Sequence, residues 1–427
     1  MSNNYTSKDM ISVENALDQI LSITKVLEAE QMGMLKAAGR VLAQDITSDI
    51  DIAPFDNSAM DGFAIKAQDT TAASPECPAR LKIIGVNSAG AVFDGEVHKG
   101  EALRIMTGAP LPAGADTVVP MEQVEVVGEE PKTPIGREML ITKPPKMGQH
   151  VRLCGEEAHA GEVVLGRGAV LSPAGVGLLA STGNTTVEVH RRPRVAILSS
   201  GDELVDPSQK PGPGQIRNAN CYSLAAAATA AGAEVCTTAI VGDDIDEIRT
   251  AVKQAVAEHD LVMISGGAAE GDYDYTNRIM SELGEVFFTK VNMRPGKAQT
   301  LGLIDGTIVF GLAGNPSAAM VGFEVLLRPA IRRMQGYTKI KRSVTRARLT
   351  ADAQKPDQRR FYLRARMEYS SVSDEYLVTP EKNQSSALLK AFQQANCLVV
   401  LPEGLQGNIK DEIVACMRLD IDEGVVV

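Results

Sequence analysis

Between residues 192 and 340, apolar runs that stop at Gly, Ser or Asp alternate with stretches of helical periodicity, and this alternation constrains the fold most. RVAILSS runs into GDEL, and an Ala-rich helix over about 218–231 ends at Gly232. EVCTTAIV leads to GDD and the helix DIDEIRTAVKQAVAEH, in which Asp244 and Glu247 suit N-terminal positions. LVMIS, the loop GGAAEGDYDYT, another helix and TIVFGL ending in AGNPS follow. Apolar strands alternating with helices predict right-handed βαβ units and a doubly wound parallel sheet.

The flanking segments have a different texture. Residues 10–30 predict an amphipathic helix capped by Ser12. From about 60 to 165, the runs LKIIGV, ALRIM, DTVVP and EMLITK are broken by Gly and Pro, which predicts a small β domain. TRARLTA, RFYLRARM, EYLVTP, NCLVVLP and EIVACMRL, within 342–427, predict a β-barrel or sandwich. The fold class is therefore multidomain α/β, as 427 residues exceed one compact core.

Composition narrows the function. With 43 basic and 54 acidic residues the formal charge is −11, so no broad field exists for nucleic acid or an anionic membrane. No Trp is present and aromatic residues make up 4%, which argues against stacking on single strands. The six cysteines form no C-x-x-C pair, and no signal core or membrane-length apolar run occurs, so a cytosolic protein with free thiols is expected.

Ligands of an open parallel sheet bind at the carboxyl ends of its strands. Those ends read Ser199-Ser200-Gly201-Asp202-Glu203, Gly242-Asp243-Asp244, Ser265-Gly266-Gly267 with Gly271 and Asp274 beyond, and Gly314-Asn315-Pro316-Ser317. Glycines there admit close approach of an anion to backbone N–H groups. Glu203, Asp243, Asp244 and Asp274 are hard oxygen ligands suited to Mg²⁺, although for Asp244 taken alone helix capping is the better reading. Lys290, Arg294 and Lys297 form one basic group, and Arg359, Arg360, Arg364 and Arg366 another. Arg359 could grip a phosphate or oxyanion in bidentate fashion. No G-x-G-x-x-G, Walker A or nucleophile-elbow sequence is present.

FDNSAMDGFAI (55–65), LRIMTGAPLPAGADTVVPMEQ (103–123), VAILSSGDEL (195–204), ISGGAAEGDYDYT (264–276), RPGK (294–297) and GLAGNPS (311–317) resemble the molybdopterin molybdenumtransferases, the bacterial MoeA type also found as the gephyrin E domain. The first two segments are long and specific, and their order holds over essentially the full chain. The resemblance implies an N-terminal helix (1–28) packing on the molybdopterin-binding domain. It further implies a small α/β domain (29–47 and 158–182), an inserted β domain (48–157), the molybdopterin-binding domain (183–341) and a C-terminal β-barrel (342–427). It implies a homodimer with a cleft between subunits, and Mg²⁺-dependent insertion of molybdate into adenylylated molybdopterin with release of AMP. Molybdopterin adenylyltransferase and molybdoenzyme acceptors or their chaperones are the implied partners. Asp61, Thr107, Glu203, Asp243 or Asp244, Asp274, Lys290 and Arg294 fall on the family's cleft positions, with Arg359 and Ser386 from the C-terminal domain. Asp61 and Thr107 would make polar contacts to molybdate or pyrophosphate.

Departures from the family pattern are the loop GGAAEG, with Ala269 for a hydroxyl, and GLAGNPSAA, with Ala313 and Ala318. They motivate an alternative: a non-catalytic or specialised paralogue serving as pterin-binding chaperone or scaffold.

Overall fold

The computed structural model describes residues 10–128, 134–266 and 275–421. Helix α1 (Val13–Ile23) starts where Ser12 Oγ accepts the Asn15 N–H at 3.1 Å. Val13, Ala16, Leu17 and Ile20 recur at helical spacing and are buried. The helix is shorter than the 10–30 expectation. Thr24 turns extended, its N–H and hydroxyl both capping the Ile20 carbonyl, and Leu27 N–H instead bonds Met334 O at 2.8 Å.

The chain forms two compact units, one of Met32–Gly39 and Gln44–Val187, the other of Met1–Gln31, Arg40–Ala43 and Glu188–Val427. The first carries a six-stranded sheet of β1 (Gly62–Ile65), β2 (Ala79–Asn87), β3 (Glu101–Ile105), β4 (Thr117–Pro120), β5 (Val124–Val126) and β6 (Glu138–Ile141), in the order β4-β1-β3-β2-β6-β5. Along β2, Leu81 and Ile83 are buried and Arg80 and Lys82 exposed, the period-two pattern of a strand with one face inward. Phe63, Ile65, Leu81, Ile83, Val119 and Ile141 form the core on that side. Helix α2 (Pro173–Ser181), capped by Ser172, closes this unit's sequence.

The second unit holds the doubly wound sheet. Its strands are β7 (Arg194–Ser200), β8 (Glu234–Val241), β9 (Leu261–Ser265), β10 (Glu285–Lys290), β11 (Ala298–Ile304) and β12 (Thr307–Leu312), in the order β8-β7-β9-β12-β11-β10. The first four are parallel, as expected; β11 runs antiparallel to both its neighbours, β12 and β10, so the sheet is mixed. The reason is local. Asp305 and Gly306 both have positive φ, 49° and 83°, and form the two-residue turn that folds β11 back on β12. Alternate residues of β7 face opposite layers. Val195 and Ile197 pack with α1 and α3 (Asn220–Ala230), whereas Ala196 and Leu198 pack with α4 (Ile245–Glu258) and α5 (Tyr275–Leu283). Helix α6 (Pro316–Gly322) follows β12.

The C-terminal part of this unit is a barrel of β13 (Val344–Leu349), β14 (Arg360–Ser370), β15 (Glu375–Pro380), β16 (Cys397–Leu401) and β17 (Ile413–Arg418). The ring runs β14-β15-β13-β17-β16 and closes where β16 pairs with β14, which leaves no unpaired edge among these strands. Its core includes Leu349, Phe361, Leu363, Val378, Val399 and Cys416.

Candidate functional site

The carboxyl ends of β7, β8, β9 and β12 open onto a cleft of about 690 Å³. Ser200, Gly201, Glu203, Asp243, Gly266, Gly314 and Asn315, all singled out in the sequence, line it. Gly266 has φ +102°, and a Cβ there would lie 2.3 Å from the Ser200 carbonyl oxygen, so only glycine fits between the ends of β7 and β9. Gly201 has φ +151°, and the Glu203 carboxylate folds over the face where its Cβ would project.

Two residues brace this edge that the sequence reading did not select. Asn220, opening α3, donates through Nδ2 to Ser265 Oγ and Gly314 O, both at 2.8 Å. Its Oδ1 and the Ser200 Oγ are buried at the cleft without a hydrogen-bond partner among the described residues. Asp202 and Asp243 exchange backbone–carboxylate bonds: Asp243 N–H to Asp202 Oδ1 at 3.0 Å, and the reverse at 3.4 Å. Asp244 is the cap of α4; its Oδ1 accepts from Asp246 and Glu247 N–H, and it does not line this cleft. Gly267, Gly271 and Asp274 lie outside the described residues.

A second cleft, about 850 Å³, lies between the sheet's β10–β11 connection and the barrel. Arg294, Lys297, Arg359, Arg364 and Ser386 line it, and Ala298, Ala313 and Asn315 are common to both clefts. Lys290 does not line either; it sits at the end of β10, paired with Ala298. Met293 and Arg294 pair with Arg360 and Phe361 of β14, which brings the two basic groups of the sequence together.

Asp357 stands between them. Arg359 donates through Nε and Nη2 at 3.0 and 2.7 Å, and Arg294 through Nη1 at 2.8 Å. Burial works against ionisation of Asp357, but the Arg359 and Arg294 hydrogen bonds outweigh it and hold the carboxyl far below the usual range. Arg364 is fully buried; its Nη2 donates to Ser385 O at 2.9 Å, and its Nε has no partner among the described residues. Burial pushes this guanidinium down to about 10. Lys355, also fully buried, donates to Asp357 O at 2.8 Å and Leu405 O at 2.5 Å.

Asp61 and Thr107 form a compact pair in the first unit. Asp61 Oδ1 accepts from the Thr107 backbone N–H at 2.7 Å and from its hydroxyl at 2.8 Å. These two bonds, the backbone one foremost, lower the Asp61 carboxyl, and the Arg104 charge adds to them. Arg104 is buried over the Phe63 ring at 5.3 Å and donates to Gly62 O at 2.9 Å. Among the described residues no group of three His, Cys, Asp or Glu could hold a metal ion.

Three family models match the chain in order: the MoeA N-terminal region (domain I and II) over 11–183, a probable molybdopterin binding domain over 196–333, and the MoeA C-terminal region (domain IV) over 346–414. A molybdopterin molybdenumtransferase of Staphylococcus aureus (strain COL) is 36% identical over 401 residues, 94% of this chain and 93% of that one. The chain belongs to the MoeA family of molybdopterin molybdenumtransferases. A Staphylococcus epidermidis molybdopterin molybdenumtransferase (strain RP62A) is 34% identical over 95% of both chains. A crystal structure of a molybdopterin biosynthesis MoeA protein from Pyrococcus horikoshii matches with a TM-score of 0.81, 34% identity, and 96% and 99% of the two chains covered. The protein is thus an enzyme of molybdenum cofactor biosynthesis, and molybdate and molybdopterin are its implied substrates. Among the described residues no helix is long and apolar enough to cross a membrane.

Proposed function

We propose that the enzyme inserts molybdate into adenylylated molybdopterin in a Mg²⁺-dependent reaction that releases AMP. The observation that carries this reading is the pairing of two clefts of opposite character across one small-residue wall. The strand-end cleft presents Glu203 and Asp243; the other presents Arg294, Lys297, Arg359 and Arg364.

The division answers an electrostatic difficulty. Molybdate and a phosphate-bearing pterin repel: two unit charges 4 Å apart at an effective dielectric of about 20 cost roughly 4 kcal/mol. Cations around one anion and a metal on the other offset that repulsion. Glu203 and Asp243 fit Mg²⁺, which commonly takes one or two carboxylates and completes its shell with water and phosphate oxygens. When bound there, the ion supplies charge neutralisation at the pyrophosphate. Gly201, Gly266 and Gly314 let backbone approach the phosphates, and the unpartnered Ser200 hydroxyl and Asn220 carbonyl oxygen offer the pterin one donor and one acceptor. In the cationic cleft, Lys297, Arg294, Arg359, Ser386 and the buried Arg364 hold molybdate beside the dithiolene sulfurs.

The same reading assigns a homodimer in which the second subunit completes the cleft, with Asp61 and Thr107 keeping the polar role that family resemblance gives them. Molybdopterin adenylyltransferase would supply the substrate, and molybdoenzymes or their chaperones would receive the product. The family models, naming domains I and II and a domain IV, support a division into four domains. Six free thiols suit a reducing compartment such as the cytosol.

The test mixes the purified full chain with adenylylated molybdopterin, Mg²⁺ and molybdate. AMP release that stops when Mg²⁺ is chelated is expected; no AMP release under any of these conditions overturns the reading.

A further inference from the structure

We infer that Asp357 is a positioning residue that clamps Arg294 and Arg359 so that their remaining donors face the cationic cleft. This rests on the reading of that cleft as an oxyanion site and names a residue it depends on. Asp357 takes one edge of the Arg359 guanidinium, Nε and Nη2, in a two-point contact, and its Oδ1 also accepts the Arg359 backbone N–H at 3.0 Å. The Nη1 group of Arg359 makes no hydrogen bond among the described residues, and Arg359 lines the cleft. Arg294 spends only Nη1 on Asp357, while its guanidinium lies 5.1 Å from the Phe361 ring centroid. One carboxylate therefore fixes two planar cations that arrive from separate parts of the chain. Arg294 comes from the β10–β11 connection, Arg359 from the segment entering β14.

The clamp is itself held. Lys355 Nζ binds the Asp357 carbonyl and Leu405 O, and lies 4.9 Å from the same Phe361 ring. Arg side chains lose much rotamer freedom when they close on a ligand. A carboxylate that has already ordered them removes that loss from the binding step. Arg is also suited to this use, because the two edges of its fork can engage different partners at once.

A mere counter-ion at this position would act in the opposite direction. Removing a negative charge beside an anion site should tighten anion binding if Asp357 were only a competing counter-ion. As a clamp, its loss weakens binding.

Titration calorimetry of the full chain with molybdate alone separates the two. Asp357→Ala is expected to bind on the order of tenfold more weakly than the unaltered chain. Asp357→Asn, nearly isosteric and still an acceptor, is expected to fall between them and serves where the alanine variant does not fold. In an Arg294→Ala/Arg359→Ala background the Asp357 change should have no further effect, since the residue acts through those side chains. Unchanged or tighter binding by Asp357→Ala, or the same loss in the background without the arginines, overturns the clamp while leaving the oxyanion site in place. No molybdate binding by the unaltered chain overturns the oxyanion reading and the clamp with it.

Discussion

Gly266 offers the sharpest test of how the strand-end cleft is built. Alanine there meets two separate obstacles. Its φ of +102° is unfavourable for any L side chain, and its Cβ would lie 2.3 Å from the Ser200 carbonyl oxygen. Gly306 is the matched control: φ is +83°, with no heavy atom within 4 Å of the added Cβ. For Gly306→Ala the backbone cost of about 1–2 kcal/mol is partly offset by the roughly 0.4–1 kcal/mol gained from a less free unfolded chain. A net loss of about 1 kcal/mol is expected. Gly266→Ala carries that cost and a clash that needs at least 3.0 − 2.3 = 0.7 Å of relief. The atom in the way is backbone in β7, which is paired to β8 on one side and β9 on the other, so it cannot yield cheaply. Overpacking of this kind adds about 1–3 kcal/mol, for a total of about 2–4 kcal/mol. Because a chain with several domains does not unfold in one step, the measurement is hydrogen-exchange protection at β7 and β9 amides. Titration with adenylylated molybdopterin, weakened only by Gly266→Ala, reads the cleft itself. Equal protection losses in the two variants would refute the close-approach argument.

Other outcomes follow from the same structure. Thr107→Val keeps the backbone donor to Asp61 but removes the hydroxyl, so the Asp61 carboxyl should titrate at higher pH, as read by NMR. The sign follows from the lowered folded-state value: the Thr107–Asp61 bonds are fully present above the ordinary carboxyl pKa of about 3.9 and are lost as pH falls through the lowered one. Lys355→Met leaves the Asp357 and Leu405 carbonyls without their donor and should destabilise the barrel by about 1–3 kcal/mol, measured by hydrogen-exchange protection with probes in β14. Ile197→Ala, at a fully buried position in β7, should cost about 2–5 kcal/mol by the same method with a probe in the sheet.

The parallel core was legible because RVAILSS, EVCTTAIV, LVMIS and TIVFGL are apolar runs closed by Gly, Ser or Asp. The hairpin of β11 and β12 was not read, although its Asp305-Gly306 turn is a local signal of the kind that fixes antiparallel pairing. Its strand AQTLGLI has no alternating polar face, since it is buried on both sides. Ser200, Gly201, Glu203, Asp243, Gly266, Gly314 and Asn315 share one cleft, and they were legible because turn chemistry places Gly and Asp at strand ends whatever the tertiary contacts. The cations Arg294, Lys297 and Arg359 were legible as charges, but their meeting was not. It depends on a pairing across more than sixty residues, between Arg294 and Phe361, that no local pattern encodes. Asp357 was missed for the same reason: a lone Asp after Pro356 reads as a turn residue until two guanidiniums are seen to converge on it.

A formal charge of −11 gives this enzyme no long-range pull on an oxyanion, and screening removes charge effects beyond about 8–10 Å in any case. Attraction must therefore come from cations held at short range and out of water. Arg364 meets that description: it is fully buried, and its Nε has no hydrogen-bond partner among the described residues. The cationic cleft and the cleft of Glu203 and Asp243 nevertheless stay distinct. Asp357 engages one edge of Arg359 and one nitrogen of Arg294, and the residues common to both clefts are Ala298, Ala313 and Asn315, none of which carries charge. The acidic and basic clefts thus adjoin across uncharged residues, which is what the proposed side-by-side binding of a metal-bound phosphate and a tetraoxoanion requires.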